Sequence, residues 1–344
     1  MTKNRNILLV GLGAFGKNHF AAWRRLGMLD NLYVSDVSEE SRKFLEEARF
    51  DLSRFSHDWR RFIDQVDVVD VVTGTDAHFP LCQEALELGK DVFCEKPLTR
   101  TATEAEALAA TVRRSRVVLQ VGYYYRYHPM AEAIRKIVQS GRLGRLRYVK
   151  AEFLGFKRPR MDVGVMQTDG IHFIDLLNSV VGQNPEGVFA VTRDHLGRNL
   201  EDLAIGLFHY PGGLPANIES GYIQPGRWRD KVVPGAMTTK SMEFMGSKAT
   251  LAADFESDEL EVIAVEHQKN NGAWTVAIGG SERPYFPSSM PVEMVSEELA
   301  DFLRCVEERR TPGANVDVAG VVLARIMEAF YRSAREMRFV EIAY

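Results

Sequence analysis

Residues 5 to about 120 alternate short, nearly continuous apolar runs with stretches of helical period, the pattern of strand–helix–strand units around a parallel sheet. The runs predict strands at 6–10, 32–36, 66–73, 91–94 and 117–121. Little in them is polar, so helices should cover both faces of that sheet. Ala105, Leu108, Ala109 and Val112 fall at i, i+3, i+4 and i+7 and predict an amphipathic helix over 101–114, capped by Thr101 or Thr99. Met130, Ile134, Ile137 and Val138 make a second stripe, a helix over 129–139 stopped by Ser140 and Gly141. From Leu146 onward the period shortens to two, as in Trp274, Val276 and Ile278, and glycine- and proline-bearing turns separate the runs. Strands are expected near 146–156, 187–194, 202–210, 214–223, 241–246, 249–255, 259–267 and 273–279, a large, mostly antiparallel open sheet interrupted by one helix over about 168–181. The basic, proline-bearing stretch 224–240 is the longest expected loop. Val295, Leu299, Phe302, Leu303 and Val306 return to helical spacing, and a last helix is expected over 318–335.

A chain of 344 residues exceeds what one core usually organises, so two domains are expected, 1–125 and 126–344, the C-terminal helices being available to pack back on the first. The fold class is α/β followed by α+β. A formal charge of −4 offers no basic field for a nucleic-acid backbone, and no apolar run is long enough for a bilayer, which argues against both partners. The apolar run at the start leads into glycines and reads as a strand, not a signal peptide. Cys82, Cys94 and Cys305 have neither metal-ligand spacing nor an even disulfide framework; they read as small buried hydrophobes of a cytoplasmic protein without a metal.

The strongest local motif is Gly11-Leu12-Gly13-Ala14-Phe15-Gly16, directly after an apolar strand and opening a helix. The first glycine allows a tight turn, the second a close approach to pyrophosphate, the third close helix packing, and the helix N-terminus adds N–H donors. Asp36, twenty residues past Gly16, ends the second strand, where a carboxylate can accept from ribose hydroxyls; followed by Val37, it favours NAD. Arg42 lies close enough in sequence to leave NADP open. The bland alternative is a tight turn with Asp36 capping the next helix. A Rossmann-type dinucleotide domain is the better reading, because strand, turn, helix and acid are in register.

Glu95-Lys96-Pro97 follows another strand, so Lys96 should project beyond the carboxyl end of the sheet, with Thr73, Thr75 and His78 on the same edge. With Gly122–Pro129 and Gly170–Asp175, these motifs resemble the glucose–fructose oxidoreductase / inositol dehydrogenase / rhizopine-catabolism (Gfo/Idh/MocA) family over nearly the whole chain. The resemblance implies a Rossmann domain, an open antiparallel sheet and an active site between them, in which a sugar or polyol hydroxyl is oxidised or its ketone reduced. It implies that Lys96 positions nicotinamide and substrate and that His172 is acid or base. An imidazole suits the hydroxyl proton and an ammonium the developing alkoxide, but Lys96 itself is an alternative proton acceptor. The family often carries an aspartate four residues before the histidine; here Thr168 stands there, with Asp169 next to it. Tyr124 and Arg126, after the fifth strand, are expected near the nicotinamide and the substrate, and Glu95 beside the cofactor.

Lys157-Arg158-Pro159-Arg160 and Arg227-Trp228-Arg229 are solvated loop charge by default, or a clasp for a sugar acid or nucleotide sugar. Two other functions stay open: a redox-neutral epimerase or glycosidase with tightly held NAD, and a non-enzymatic dinucleotide or sugar sensor. An uncovered sheet face exposes apolar surface and predicts a homodimer or homotetramer.

Overall fold

Four consecutive buried aliphatic residues form β1 (Ile7–Val10) in the computed structural model, which describes residues 5–344. It is followed by α1 (Gly16–Arg25), β2 (Leu32–Ser35), α2 (Glu39–Glu47), β3 (Phe55–Ser56), β4 (Val68–Val71), α3 (Thr75–Glu87), β5 (Asp91–Glu95), α4 (Ala102–Ser115) and β6 (Leu119–Gly122). The strands pair in parallel in the order β3-β2-β1-β4-β5-β6. The order reverses between β1 and β4, and the carboxyl ends of these neighbours lead to Gly11 and to Thr73; ligands of open α/β sheets bind at such a switch point. Thr101 caps α4 in a reciprocal box with Glu104, an arrangement whose loss costs about 1 kcal/mol.

Beyond this sheet come α5 (Pro129–Gln139), β7 (Leu146–Phe156), a wide turn at Met166–Gly170 with i→i+5 geometry, and α6 (Ile171–Val181), which is buried nearly throughout. Then follow β8 (Gly187–Arg193), β9 (Leu203–Tyr210), β10 (Leu214–Gly221), β11 (Trp228–Arg229), β12 (Met237–Gly246), β13 (Ala249–Asp254), β14 (Glu259–Asn270) and β15 (Ala273–Glu282). The chain ends with α7 (Pro291–Glu308), α8 (Val322–Glu336) and β16 (Val340–Glu341). The described residues form a ten-stranded sheet in the order β15-β14-β13-β12-β7-β10-β9-β8-β16, with β11 on β12. Its pairs are antiparallel except β10 with β7, which joins two antiparallel halves.

The chain divides into two compact units: residues up to Tyr124 with Pro291–Ala324, and Tyr125–Met290 with Arg325–Tyr344. In the first, α7 packs on α1, and Glu298 of α7 accepts from the Tyr123 amide at 2.6 Å. No described helix is long and apolar enough to cross a membrane.

Several boundaries differ from the sequence expectations. The expected loop 224–240 is shorter, because β12 begins at Met237 and pairs along β7 as far as Phe156, while Trp228 and Arg229 add a short rung opposite Thr238 and Met237. The helices expected over 168–181 and 318–335 each begin as a wide turn, at Met166–Gly170 and at Val316–Val321. β3 and β16, two residues each, carry no periodic signal of their own.

Candidate active site

The candidate residues of the first unit begin with the glycine loop. Gly11 has φ +97°, and a Cβ there would lie 2.6 Å from the Val72 carbonyl oxygen; one at Gly16 would run into the Gly11 carbonyl. Gly13 has no protein atom within 4 Å of where its Cβ would be. The outer glycines are thus needed by the protein itself, whereas the middle one stands beside open space. Asp36 accepts from the Leu12 amide at 2.6 Å and the Ser38 amide at 2.8 Å, so it ties the loop to the end of β2. Each carboxylate oxygen accepts more than one donor, which leaves capacity for ribose hydroxyls. Val37 beside it is 89% exposed. Glu39 and Glu40 occupy the first turn of α2, while Arg42 is drawn to Glu39 and Glu46 on its own helix at 3.9 and 3.6 Å. This acidic collar repels a 2′-phosphate, and the loop fits NAD.

Glu95-Lys96-Pro97 closes β5, with a cis Lys96–Pro97 peptide. Glu95 is buried, and its Oε2 accepts from the Lys96 amide at 3.1 Å. Its Oε1 fills the place a Cβ of Gly122 would take. His78, expected near the cofactor, is buried one turn into α3 with its ring nitrogens 2.8 Å from the Pro97 carbonyl oxygen and 3.1 Å from that of Thr73; it holds two strand-end loops together. Thr75, at the start of α3, is buried as well, and the Thr73 hydroxyl lies 3.3 Å from the Gly74 carbonyl. Tyr124 is buried against Phe15, ring centres 5.7 Å apart.

Sequence reasoning missed what lies under the loop. His19 of α1, fully buried, has Nδ1 at 3.1 and 3.0 Å from the two oxygens of Asp70, and Asp70 also accepts from Trp23 Nε1 at 2.8 Å. His19 Nε2 faces Glu95 Oε1 at 3.4 Å. Burial works against charge on the ring, but Asp70 and Glu95 outweigh it and raise His19 to about 10. The available signal was a lone acid, Asp70, inside the apolar run Val68–Val71.

In the second unit His172 stands buried in the first turn of α6, edge-on to Tyr125 at 5.2 Å and stacked with Phe153 at 6.4 Å. Asp169, three residues earlier in the wide turn, is paired with Lys157 Nζ at 2.8 Å, and that ammonium lies 4.7 Å from the Phe153 ring centre. Lys240 approaches the same ring at 5.0 Å and is itself paired with Asp230 and Glu256. Thr168 donates its hydroxyl to the Gly164 carbonyl at 2.9 Å. Burial, reinforced by the Asp169 charge, pushes the Tyr222 phenol up. Glu201 pins the turn: its Oε1 accepts from the Met166 amide at 3.1 Å and from the Tyr331 hydroxyl at 2.7 Å, and its carboxylate fills the space beside Gly164. Arg126, expected at the substrate, makes a two-pronged pair with buried Asp175 at 2.7 and 2.6 Å. Of the expected anion clasp, Lys157 and Arg160 are paired with Asp169 and Asp162, and the Trp228 indole donates to Asp254, so two of the five cations in these clusters are neutralised from within.

Residues 5–123 match the model of an oxidoreductase family with an NAD-binding Rossmann fold, and residues 131–252 match the GFO/IDH/MocA C-terminal domain. The chain is 25% identical to levoglucosan dehydrogenase of Pseudarthrobacter phenanthrenivorans, with 99% of this chain and 98% of the relative covered. It is likewise 25% identical to D-apiose dehydrogenase of Paraburkholderia graminis, over 97% of this chain and 88% of that one. Its fold resembles that of a levoglucosan dehydrogenase solved in complex with NADH, with a TM-score of 0.82 at 21% identity over 98% of this chain and 99% of the other.

Proposed function

The chain belongs to the Gfo/Idh/MocA family of oxidoreductases, and from that premise we propose that it is an NAD-dependent dehydrogenase acting on a carbinol carbon of an uncharged sugar or polyol. The reading is carried by Lys96, which follows the carboxyl end of β5 on the sheet edge where the glycine loop leaves β1, its amide gripped by Glu95. Relatives that act on levoglucosan and D-apiose support a neutral carbohydrate.

The glycine loop and the α1 N-terminus hold the pyrophosphate, Asp36 accepts from the ribose, and Phe15 and Tyr124 give the inner end an apolar wall. When bound, NAD supplies the hydride-accepting ring. Lys96 donates to the substrate oxygen and favours the alkoxide that develops as carbon is oxidised, and His172 takes the hydroxyl proton. The Lys157–Asp169 pair offers donors and an acceptor to neighbouring hydroxyls. The buried Lys240 and the half-buried Lys157 and Lys231 each face a carboxylate, so an anionic substrate would have to break a pair to gain one of these three. This favours neutral polyols over sugar acids.

The test is a panel of inositols, aldoses, anhydrosugars, uronic acids and nucleotide sugars, followed by nicotinamide absorbance. Neutral compounds should be oxidised, with kcat reduced at least about a hundredfold in Lys96→Met and His172→Asn while NADH still quenches tryptophan fluorescence. A silent panel, or a fully active Lys96→Met enzyme, would sink the proposal. We further propose a homo-oligomer formed through the exposed apolar face at Trp274, Val276 and Ile278 of β15.

A further inference from the structure

Three elements meet at one buried ring. His19 comes from α1, Asp70 from β4 and Glu95 from β5, and Phe15 and Phe93 close over the ring edge-on at 5.5 and 5.7 Å. A histidine that merely fills a core is satisfied by one acceptor; this one bonds Asp70 through Nδ1 and turns Nε2 towards Glu95 Oε1 at 3.4 Å, so a carboxylate faces each nitrogen. Burying two carboxylates among aliphatic strands is costly, and the return lies in direction. Glu95 is engaged at both oxygens: Oε2 holds the Lys96 amide, Oε1 faces His19, and the absent side chain of Gly122 leaves the room that Oε1 occupies.

We propose that His19 is a positioning residue for the dehydrogenase reaction: clamped between Asp70 and Glu95, it sets the Glu95 carboxylate under the Lys96 amide and props Phe15 of the glycine loop. One side chain thereby fixes both the lysine and the cofactor cradle. This role deepens, and rests on, the dehydrogenase reading. The titratable groups acting on the ring are Asp70 and Glu95, and the raised His19 keeps both matched across the neutral range. Without the ring, two buried carboxylates are left around one vacancy, and one of them takes a proton as pH falls.

The experiment compares wild type, His19→Gln and His19→Gln/Glu95→Gln. Substrate turnover is followed with the best sugar of the panel, cofactor binding with NADH fluorescence, and ring charge with ¹³Cε1-histidine NMR, the His19 signal being the one missing from His19→Gln. In wild type that signal should remain imidazolium to about pH 9. His19→Gln should lower kcat at least about tenfold with substrate KM within about threefold, and should gain an acid limb in its kcat–pH profile that wild type lacks. The double variant should lose that limb, because amides replace the facing carboxylate and ring. A neutral His19 at pH 7.5, or a His19→Gln profile that superimposes on wild type once scaled for folded protein, would overturn the assignment. If wild type neither binds NADH nor oxidises any sugar, the dehydrogenase reading fails by itself, and the NMR titration still reports on the clamp.

Discussion

A methyl group added at Gly16 would run into the Gly11 carbonyl, whereas one added at Gly13 would meet no protein atom within 4 Å. The two positions therefore separate stability from binding. Gly16→Ala should destabilise the protein by about 1–3 kcal/mol in urea unfolding, through forced backbone movement. Gly13→Ala should leave the unfolding midpoint nearly unchanged and weaken NADH at least about tenfold, because the methyl occupies the pyrophosphate's approach. Equal losses of both properties in both variants would contradict the division. The glycines, Asp36 and Lys96 could be put forward from spacing and strand-end placement, and His172 from the family resemblance. His19 could not, since a histidine three residues past Gly16 is unremarkable until Asp70 and Glu95 are brought to its two nitrogens from strands fifty-one and seventy-six positions on.

Elements were legible where one face repeats. The αβ alternation, the stripe of α5 and the alternating strands of the second sheet follow from such periods. What periodicity could not give is the wide turn at Met166–Gly170, whose shape is imposed from outside by Glu201 and Tyr331, 35 and 130 positions distant from their partners. It equally hid the N-terminal end of β12, which exists because β7 offers a ladder as far as Phe156. Burial raises the Glu201 carboxyl, and the Tyr331 hydroxyl and the Met166 amide oppose that rise. Tyr331→Phe removes one of these donors and should cost about 1–3 kcal/mol, as a buried carboxylate loses a bond. The turn carries Asp169 and leads into His172, so kcat should fall with stability while NADH affinity is kept. Chemical unfolding and fluorescence titration on the same preparations check both.

For the molecule as a whole, His19 is one group through which pH acts on stability. Its ordinary value of 6.5 applies to the unfolded chain and about 10 to the folded one. Below 6.5 both states hold the proton and the clamp's contribution is full. Between 6.5 and 10 the unfolded chain releases the proton and the folded one keeps it, so stability falls with rising pH, and above about 10 the contribution is gone. The gap in urea midpoint between wild type and His19→Gln should therefore narrow steadily from pH 6.5 to 9.5; a gap independent of pH would show that the ring is neutral. The proposed assembly is the other question at this scale. Residues of β15 are exposed throughout, and Trp274, Val276 and Ile278 share one face with Lys269, His267 and Val265, their ladder partners, the Lys269 ammonium lying over the Trp274 ring. An edge strand with such a face invites pairing and aggregation unless something covers it, and it carries no proline and little charge to discourage a partner. A second copy offering the same face would bury both at once. Trp274→Lys/Ile278→Lys should shift the mass measured by light scattering from an oligomer to the 38.8 kDa of one chain without altering the circular dichroism; a wild-type chain already monomeric at micromolar concentration would leave that face to some other purpose.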